Sequence, residues 1–135
     1  MKLDLLTPSI ELGLVTTNLD AMVTFYEDLL GLEMQGVIDF DGGSQRRYAL
    51  GSSVLKLVTY TTAPPLAPTP GGGHAQAGLR YFTIGVHNLR AVAVEVEAAG
   101  YDIVEPPTEF AAVPGMGWMF IADPDGNSLE MFGTL

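Results

Sequence analysis

The sequence contains the same succession of elements twice, and this internal repeat is the strongest restriction on its fold. Each copy reads as a strand, a helix and three further strands. The copies align at Asn18-Leu19 and Asn88-Leu89, where a strand meets a helix in each copy. The repeat predicts an α+β chain of two βαβββ modules within a single domain spanning residues 1–135.

The two modules are separated by a segment that breaks the pattern. We expect module one over about residues 9–60 and module two over about residues 79–133. Apolar residues recur at helical spacing over Asn18–Gly31, with Asn18 as the predicted cap and Gly31 as the predicted end. The second helix is expected to end at Gly100. The segment Thr61–Gly78 is rich in proline and glycine, which predicts either a linker or a lid over a site.

The composition excludes several classes of function. The formal net charge of −10 disfavours nucleic acid and anionic membranes, whose phosphates require a basic surface. The absence of cysteine excludes disulfides, a thiol nucleophile and zinc–thiolate sites. The first residues contain no apolar run long enough for a signal peptide or a membrane span, so we expect a cytoplasmic protein.

Alternation along the strands separates two faces of each module. One face is large and apolar and is expected to pack on the helices. The other face carries four polar residues in two repeat-related pairs, because Glu11 corresponds to Tyr81 and Lys56 corresponds to Glu130. Small residues lie beside them, among them Gly13, Thr83, Gly85 and Ser128. This mixture predicts the wall of a ligand cavity; the alternative is a solvated sheet face.

Three segments resemble the vicinal oxygen chelate superfamily, the glyoxalase, bleomycin-resistance and dioxygenase fold. They are "LGLVTTNLDAMVTFYEDLLGLE", "GVHNLRAVAVEVEAAGYDIVEPP" and "FIADPDGNSLEMF", and the resemblance extends from Ser9 to Phe132. It implies two βαβββ modules whose curved sheets enclose a cup, usually within a homodimer. It also implies a small-molecule ligand or substrate.

The resemblance further implies where a divalent metal would bind. Metal-dependent members place one ligand on the first and one on the last strand of each module, typically His or Gln, Glu, His and Glu. The matching positions here are Glu11, Lys56, Tyr81 and Glu130, so only Glu130 keeps the usual residue type. A protonated lysine cannot ligate and repels a dication. We therefore expect no cofactor and no metal; if a metal is bound, Glu11 and Glu130 are its candidate ligands.

The same four residues form the candidate catalytic site. We expect Lys56 to lie between Glu11 and Glu130 and to take the place of the metal charge. Glu130 or Glu11 would act as general base beside a carbonyl group, and Lys56 or the Tyr81 hydroxyl would donate a hydrogen bond to the oxyanion. The alternative is a buried ion cluster that only stabilises the fold.

Further residues are candidates for binding the small molecule. Trp118 is the best candidate for stacking, since the glycines around it leave room. One of the consecutive Arg46 and Arg47 is expected to point inward, where it would meet a substrate carboxylate. The predicted ligand-binding set is Trp118, Tyr60, Thr83, Phe132, Met116 and Arg47.

Three functions remain open from the sequence. The first is a metal-independent enzyme, an isomerase or lyase, that performs acid/base chemistry on a carbonyl-bearing molecule. The second is a non-enzymatic protein that sequesters a drug, as the resemblance to bleomycin-resistance proteins implies. The third is a metal-dependent enzyme of the glyoxalase or dioxygenase type with altered ligands.

Overall fold

The structure is a computed structural model that describes residues 1–135. The chain forms two compact units, Met1–Pro65 and Leu66–Leu135, here called the first and the second unit. Each contains one four-stranded mixed sheet and one main helical segment, so the predicted α+β architecture of two βαβββ modules is confirmed. The predicted module limits near residues 60 and 79 stay a prediction.

Both sheets have the same topology. The first has the order β1-β4-β3-β2 and the second the order β5-β8-β7-β6, with the first strand of each unit parallel to the last. The strands are β1 Glu11–Val15, β2 Glu33–Phe40, β3 Gly43–Leu50, β4 Ser53–Tyr60, β5 Tyr81–Val86, β6 Ile103–Glu109, β7 Met116–Ala122 and β8 Ser128–Thr134.

The helical segment of the first unit departs from the sequence prediction. An α-helix, α1, covers only Leu19–Val23, and a π-helical segment continues over Thr24–Leu29. Asn18 occupies the predicted N-cap position, but its side chain makes no capping hydrogen bond. Gly31 follows the segment with φ of 67°, as a helix-terminating glycine requires. The helix of the second unit, α2, covers Leu89–Ala98 and is followed by Gly100 in the same left-handed region.

The apolar strand faces form the cores, as the alternation predicted. Helix α1 packs on β4, and α2 packs on β6, β7 and β8. The buried side chains of the first unit include Met22, Phe25, Tyr26, Tyr48, Leu55 and Leu57; those of the second include Leu89, Val96, Met119, Ile121, Leu129 and Met131. No helix is long and apolar enough to span a membrane.

Candidate functional site

The polar face of the first unit brings together Glu11, Arg47 and Lys56, here called the Glu11 cluster. Lys56 on β4 is the register partner of Gly13 on β1 and of Arg47 on β3. Glu11 lies two residues before Gly13 on the same face. Three adjacent strands therefore place one carboxylate and two cations side by side.

Both oxygens of the Glu11 carboxylate are engaged by these cations. Arg47 Nη2 donates to Oε1 at 2.6 Å and Arg47 Nη1 to Oε2 at 3.2 Å, which is the two-point geometry that guanidinium groups form with carboxylates. Lys56 Nζ donates to Oε2 at 3.0 Å. The predicted Lys56–Glu11 contact is thus present, and Arg47 is the arginine on this face.

The two cations change the proton affinity of Glu11. The hydrogen bonds from Arg47 and then from Lys56 lower the pKa of the Glu11 carboxyl to about 2. The side chain is 45% exposed, so solvent screens the ion pairs. At neutral pH this carboxylate is a poor proton acceptor, and neither oxygen is left free for another ligand.

The neighbouring Arg46 points to the opposite face of β3, towards the helical segment. Its Nε and Nη2 donate to Glu27 Oε2 at 3.0 and 2.8 Å, and the Tyr48 hydroxyl donates to the same oxygen at 3.0 Å. Burial, followed by the hydrogen bond to Glu27, raises the pKa of Tyr48 to about 12. This network fastens the π-helical segment to β3, and its role is structural.

The corresponding face of the second unit is aromatic. The registers of β5, β8 and β7 form three rows: Tyr81, Ser128 and Ala122; Thr83, Glu130 and Phe120; and Gly85, Phe132 and Trp118. The rings of Tyr81 and Phe120 meet edge to face at a centroid distance of 5.2 Å, and those of Trp118 and Phe120 at 5.9 Å. We call this surface the aromatic face.

Glu130 lies in the middle row of the aromatic face. Its Oε2 accepts a hydrogen bond from Thr83 Oγ1 at 2.5 Å, and no Arg, Lys or His of the second unit forms an ion pair with it. The partly buried carboxylate is therefore held by one neutral hydroxyl. The expected ion pair between Lys56 and Glu130 would join the two units and stays a prediction.

The turn between β7 and β8 sets the register that positions Glu130. Buried Asp123 accepts hydrogen bonds from the backbone N–H of Asp125 at 3.1 Å and of Asn127 at 2.8 Å. Gly126 adopts a φ of 82°, which the tight turn requires. The "DPDGN" segment thus fixes where β8 begins, and with it the strand face on which Glu130 lies.

A cavity of about 530 Å³ lies against the first row of the aromatic face. Its wall includes Tyr81, Phe120, Ser128 and Glu105, and residues 70–74 of the Pro/Gly-rich segment lie along its edge. Whether the Pro/Gly-rich segment serves as a linker or as a lid stays a prediction. His74 of the same segment also lines the cavity.

The remaining predicted ligand-binding residues are distributed over both units. Trp118, Thr83 and Phe132 lie on the aromatic face, and Met116 lies on the same face of β7, at its start. Tyr60 lies in the first unit, where its ring meets that of Phe40 at 6.0 Å. Phe120 was not among the predicted ligand-binding residues. Its position two residues after Trp118, on the same face of one strand, is the signal that could have found it.

The residues present do not fit a divalent metal. In the Glu11 cluster, two cations occupy the carboxylate oxygens that a metal would need. No group of three or more His, Asp or Glu side chains is arranged to hold an ion. Hard divalent cations require several oxygen or imidazole ligands around one point.

The chain matches the sequence profile of one protein family. The sequence profile of the Glyoxalase/Bleomycin resistance protein/Dioxygenase superfamily matches residues 9–131. No curated protein sequence matches the chain.

Solved structures show the same fold at low identity. A glyoxalase family protein from Bacillus cereus superposes with a TM-score of 0.82 at 16% identity, covering 99% of this chain and 97% of the other. The trypanothione-dependent glyoxalase I of Leishmania major gives 0.69 at 19%, covering 91% and 84%. Lactoylglutathione lyase from Agrobacterium tumefaciens gives 0.63 at 22%, covering 92% and 91%.

Proposed function

Because this chain belongs to the Glyoxalase/Bleomycin resistance protein/Dioxygenase superfamily, we propose that it is a metal-independent enzyme acting on a small carbonyl compound. The observation that carries the proposal is the environment of Glu130. Its carboxylate is partly buried, accepts one hydrogen bond from a neutral hydroxyl and has no cationic partner in its unit. A carboxylate in such surroundings keeps an oxygen available to accept a proton.

Glu130 is better suited to the role of general base than Glu11. The Glu11 oxygens are both occupied by Arg47 and Lys56, and the low pKa of Glu11 makes proton transfer to it unfavourable. Within the proposal, Glu11 holds the two cations in place and Glu130 accepts the proton. Thr83 acts as a positioning residue, since its hydroxyl fixes one carboxylate oxygen.

The chemistry starts with removal of a proton next to the substrate carbonyl. Glu130 takes the proton, the electrons of the C–H bond form the enolate double bond, and the carbonyl oxygen gains the negative charge. The Tyr81 hydroxyl, on the same face and about 7 Å away along the strands, donates a hydrogen bond to that oxygen. Return of the proton to another carbon gives an isomerisation, and loss of a leaving group gives a lyase reaction.

The deciding experiment is hydrogen–deuterium exchange next to a carbonyl. The protein is incubated in D2O with a panel of small alkyl and aryl ketones and 2-keto acids, and NMR follows the loss of α-proton signals. We expect exchange with part of the panel, persisting after dialysis against a chelator, and a fall of about 100-fold or more in Glu130→Gln. Glu97→Gln, on the exposed side of α2, is the matched control and should retain the wild-type rate.

Two results would contradict this function. Exchange that is unchanged in Glu130→Gln would remove Glu130 from the reaction. Exchange that disappears with the chelator and returns with added Mn²⁺ or Zn²⁺ would show that the chain uses a metal.

Lys56 has a separate test, because it lies in the first unit. If Lys56 stabilises the oxyanion, Lys56→Met should lower the exchange rate at least tenfold while the melting temperature changes little. A lowered melting temperature with an unchanged exchange rate would assign the Glu11 cluster to stability alone.

A second candidate function is sequestration of a small molecule without turnover. The observation that favours it is the aromatic face beside two carboxylates, Glu130 and Glu105, that have no ion-pair partner, in a chain of net charge −10. Saturable binding of a ligand with no exchange for any carbonyl compound would favour this candidate over the enzyme.

A further inference from the structure

Residues Thr69–His74, here called the strap, are held over the second sheet by a single arginine. Arg80 Nε donates to the backbone oxygen of Gly72 at 2.8 Å. Arg80 Nη2 donates to the backbone oxygens of Thr69 at 3.0 Å and Pro70 at 3.3 Å. Since Arg80 directly precedes β5, the anchor connects the strap to the strand that begins with Tyr81.

The strap needs its glycines to follow this path. Gly71 and Gly72 have φ of 96° and 57°, in the left-handed region. A Cβ on Gly71 would lie 2.8 Å from the Cβ of Ala75, and a Cβ on Gly72 would lie 3.9 Å from Ser128 Oγ on the sheet. The strap is therefore a tight turn seated next to the aromatic face, with the cavity of about 530 Å³ beneath it.

The cavity wall combines aromatic rings with one unpaired carboxylate. Tyr81 and Phe120 supply the rings, and Val104 and Ala122 add apolar surface. Glu105 is partly buried at the wall, and it forms neither an ion pair nor a side-chain hydrogen bond. The guanidinium of Arg80 is taken up by the strap carbonyls and is not part of the wall. His74 is the only basic side chain that lines the cavity.

We propose that the strap and the aromatic face form a binding site for a flat apolar molecule that carries a protonated amine, with the amine directed at Glu105. A carboxylate without a partner favours a cation, and the ring faces of Tyr81 and Phe120 attract one as well. The rings supply area for the apolar body. This ligand class rests on the proposal that the aromatic face of the second unit is the small-molecule site.

Three probes that share a phenyl ring separate the contribution of the ring from that of the ligand charge. They are 2-phenylethylamine, 2-phenylethanol and 3-phenylpropanoate. Titrations of ¹⁵N-labelled protein follow the amide signals of Gly71, Gly72 and Gly73. We expect the amine to bind, the alcohol to bind about tenfold more weakly, and the carboxylate to bind more weakly still. The shifts should be concentrated in the strap.

Variants assign the effects to residues. Glu105→Gln should bind the amine about tenfold more weakly than the wild type does, so that its affinity for the amine equals its affinity for the alcohol. Its affinity for the alcohol should equal that of the wild type. Glu97→Gln, the matched substitution on α2, should alter neither the affinity for the amine nor the affinity for the alcohol. Arg80→Gln should weaken the binding of the amine and of the alcohol by the same factor. The substitution releases the strap but leaves the charge of Glu105 in place. Circular dichroism establishes that each variant is folded.

The proposal is overturned if the carboxylate probe binds as tightly as the amine, if Glu105→Gln keeps the wild-type affinity for the amine, or if no probe shifts the strap signals. The exchange experiment on neutral ketones reports on Glu130 and not on Glu105. Exchange without a preference for amines would therefore reject only this ligand class, whereas a preference for amines without exchange would reject only the enzyme.

Discussion

At the scale of single residues, repeat-related positions have acquired different chemistry. Lys56 and Glu130 occupy the same place in their units, opposite Gly13 and Thr83 respectively. Lys56 is one of two cations on a carboxylate, whereas Glu130 is a carboxylate beside a hydroxyl. Identical backbone positions thus carry an ion cluster in one unit and a carboxylate hydrogen-bonded to a hydroxyl in the other.

The ionisation of Glu11 should make the unfolding free energy of the protein depend on pH. Because the folded pKa of Glu11, about 2, lies below the ordinary value of 4.5, the ionised carboxylate stabilises the folded protein above about pH 4.5. The contribution is lost as the pH falls towards 2. We expect the difference in unfolding free energy between wild type and Glu11→Gln to shrink over this interval, as measured by urea denaturation at several pH values.

The comparison with Glu11→Gln isolates this one group. Glu27 also has a lowered pKa, through Arg46, but it is present in both proteins and cancels in the difference. A difference that stays constant from pH 5 to pH 2 would contradict the assignment of Glu11.

At the scale of elements, alternation explains why neighbouring residues have separate roles. On β3, Arg46 binds Glu27 of the helical segment, and Arg47 binds Glu11 on the opposite face. The π-helical segment shows the limit of such reasoning. The backbone N–H of Leu30 donates to the oxygen of Phe25, five residues earlier, although the side-chain spacing suits an α-helix. Phe25 and Tyr26 of this segment are both fully buried.

The pairing of β5 with β8 depends on Gly133. A Cβ at this position would clash with the backbone oxygen of Val86, so the strands cannot keep their spacing around a methyl group. We expect Gly133→Ala to lower the unfolding free energy by about 3 kcal/mol. Thermal and urea denaturation measure the effect.

Gly73→Ala is the control for this substitution. A Cβ on Gly73 meets nothing within 4 Å and its backbone is not left-handed, so the change should be close to neutral. A loss of stability as large in Gly73→Ala as in Gly133→Ala would show that steric contact with β5 is not the cause.

At the scale of the whole molecule, the exposed edge of the first sheet bears on the homodimer expected from the family resemblance, which stays a prediction. Strand β2 is an edge strand, and its apolar residues Val37 and Ile38, on opposite faces, are 51% and 49% exposed. Exposed apolar side chains on both faces of an edge strand favour contact of that strand with another protein surface. A second copy of this chain is the partner that the family resemblance implies.

Sedimentation velocity tests this proposal. We expect the wild type to sediment with twice the mass of one chain, and the double variant Val37→Lys, Ile38→Lys to sediment as a monomer. Val94→Lys, at a residue that is 65% exposed on α2, should leave the dimer intact. A monomeric wild type would reject the homodimer.

The sequence by itself determined the repeat, the α+β class, the apolar faces and the four polar positions Glu11, Lys56, Tyr81 and Glu130. These follow from local periodicity and from turn residues, which depend on near neighbours along the chain. The prediction that the Pro/Gly-rich segment is a linker or a lid also came from the sequence.

Only the tertiary structure decided which groups meet. The bond between Glu11 and Arg47 joins residues 36 positions apart, and the anchor of Arg80 on the strap depends on how a loop turns back. The register between β7 and β8 placed Phe120 beside Glu130, and the segment Thr24–Leu29 is π-helical although its apolar spacing predicted an α-helix. Contacts between distant residues depend on strand pairing and core packing, and no local pattern contains that information.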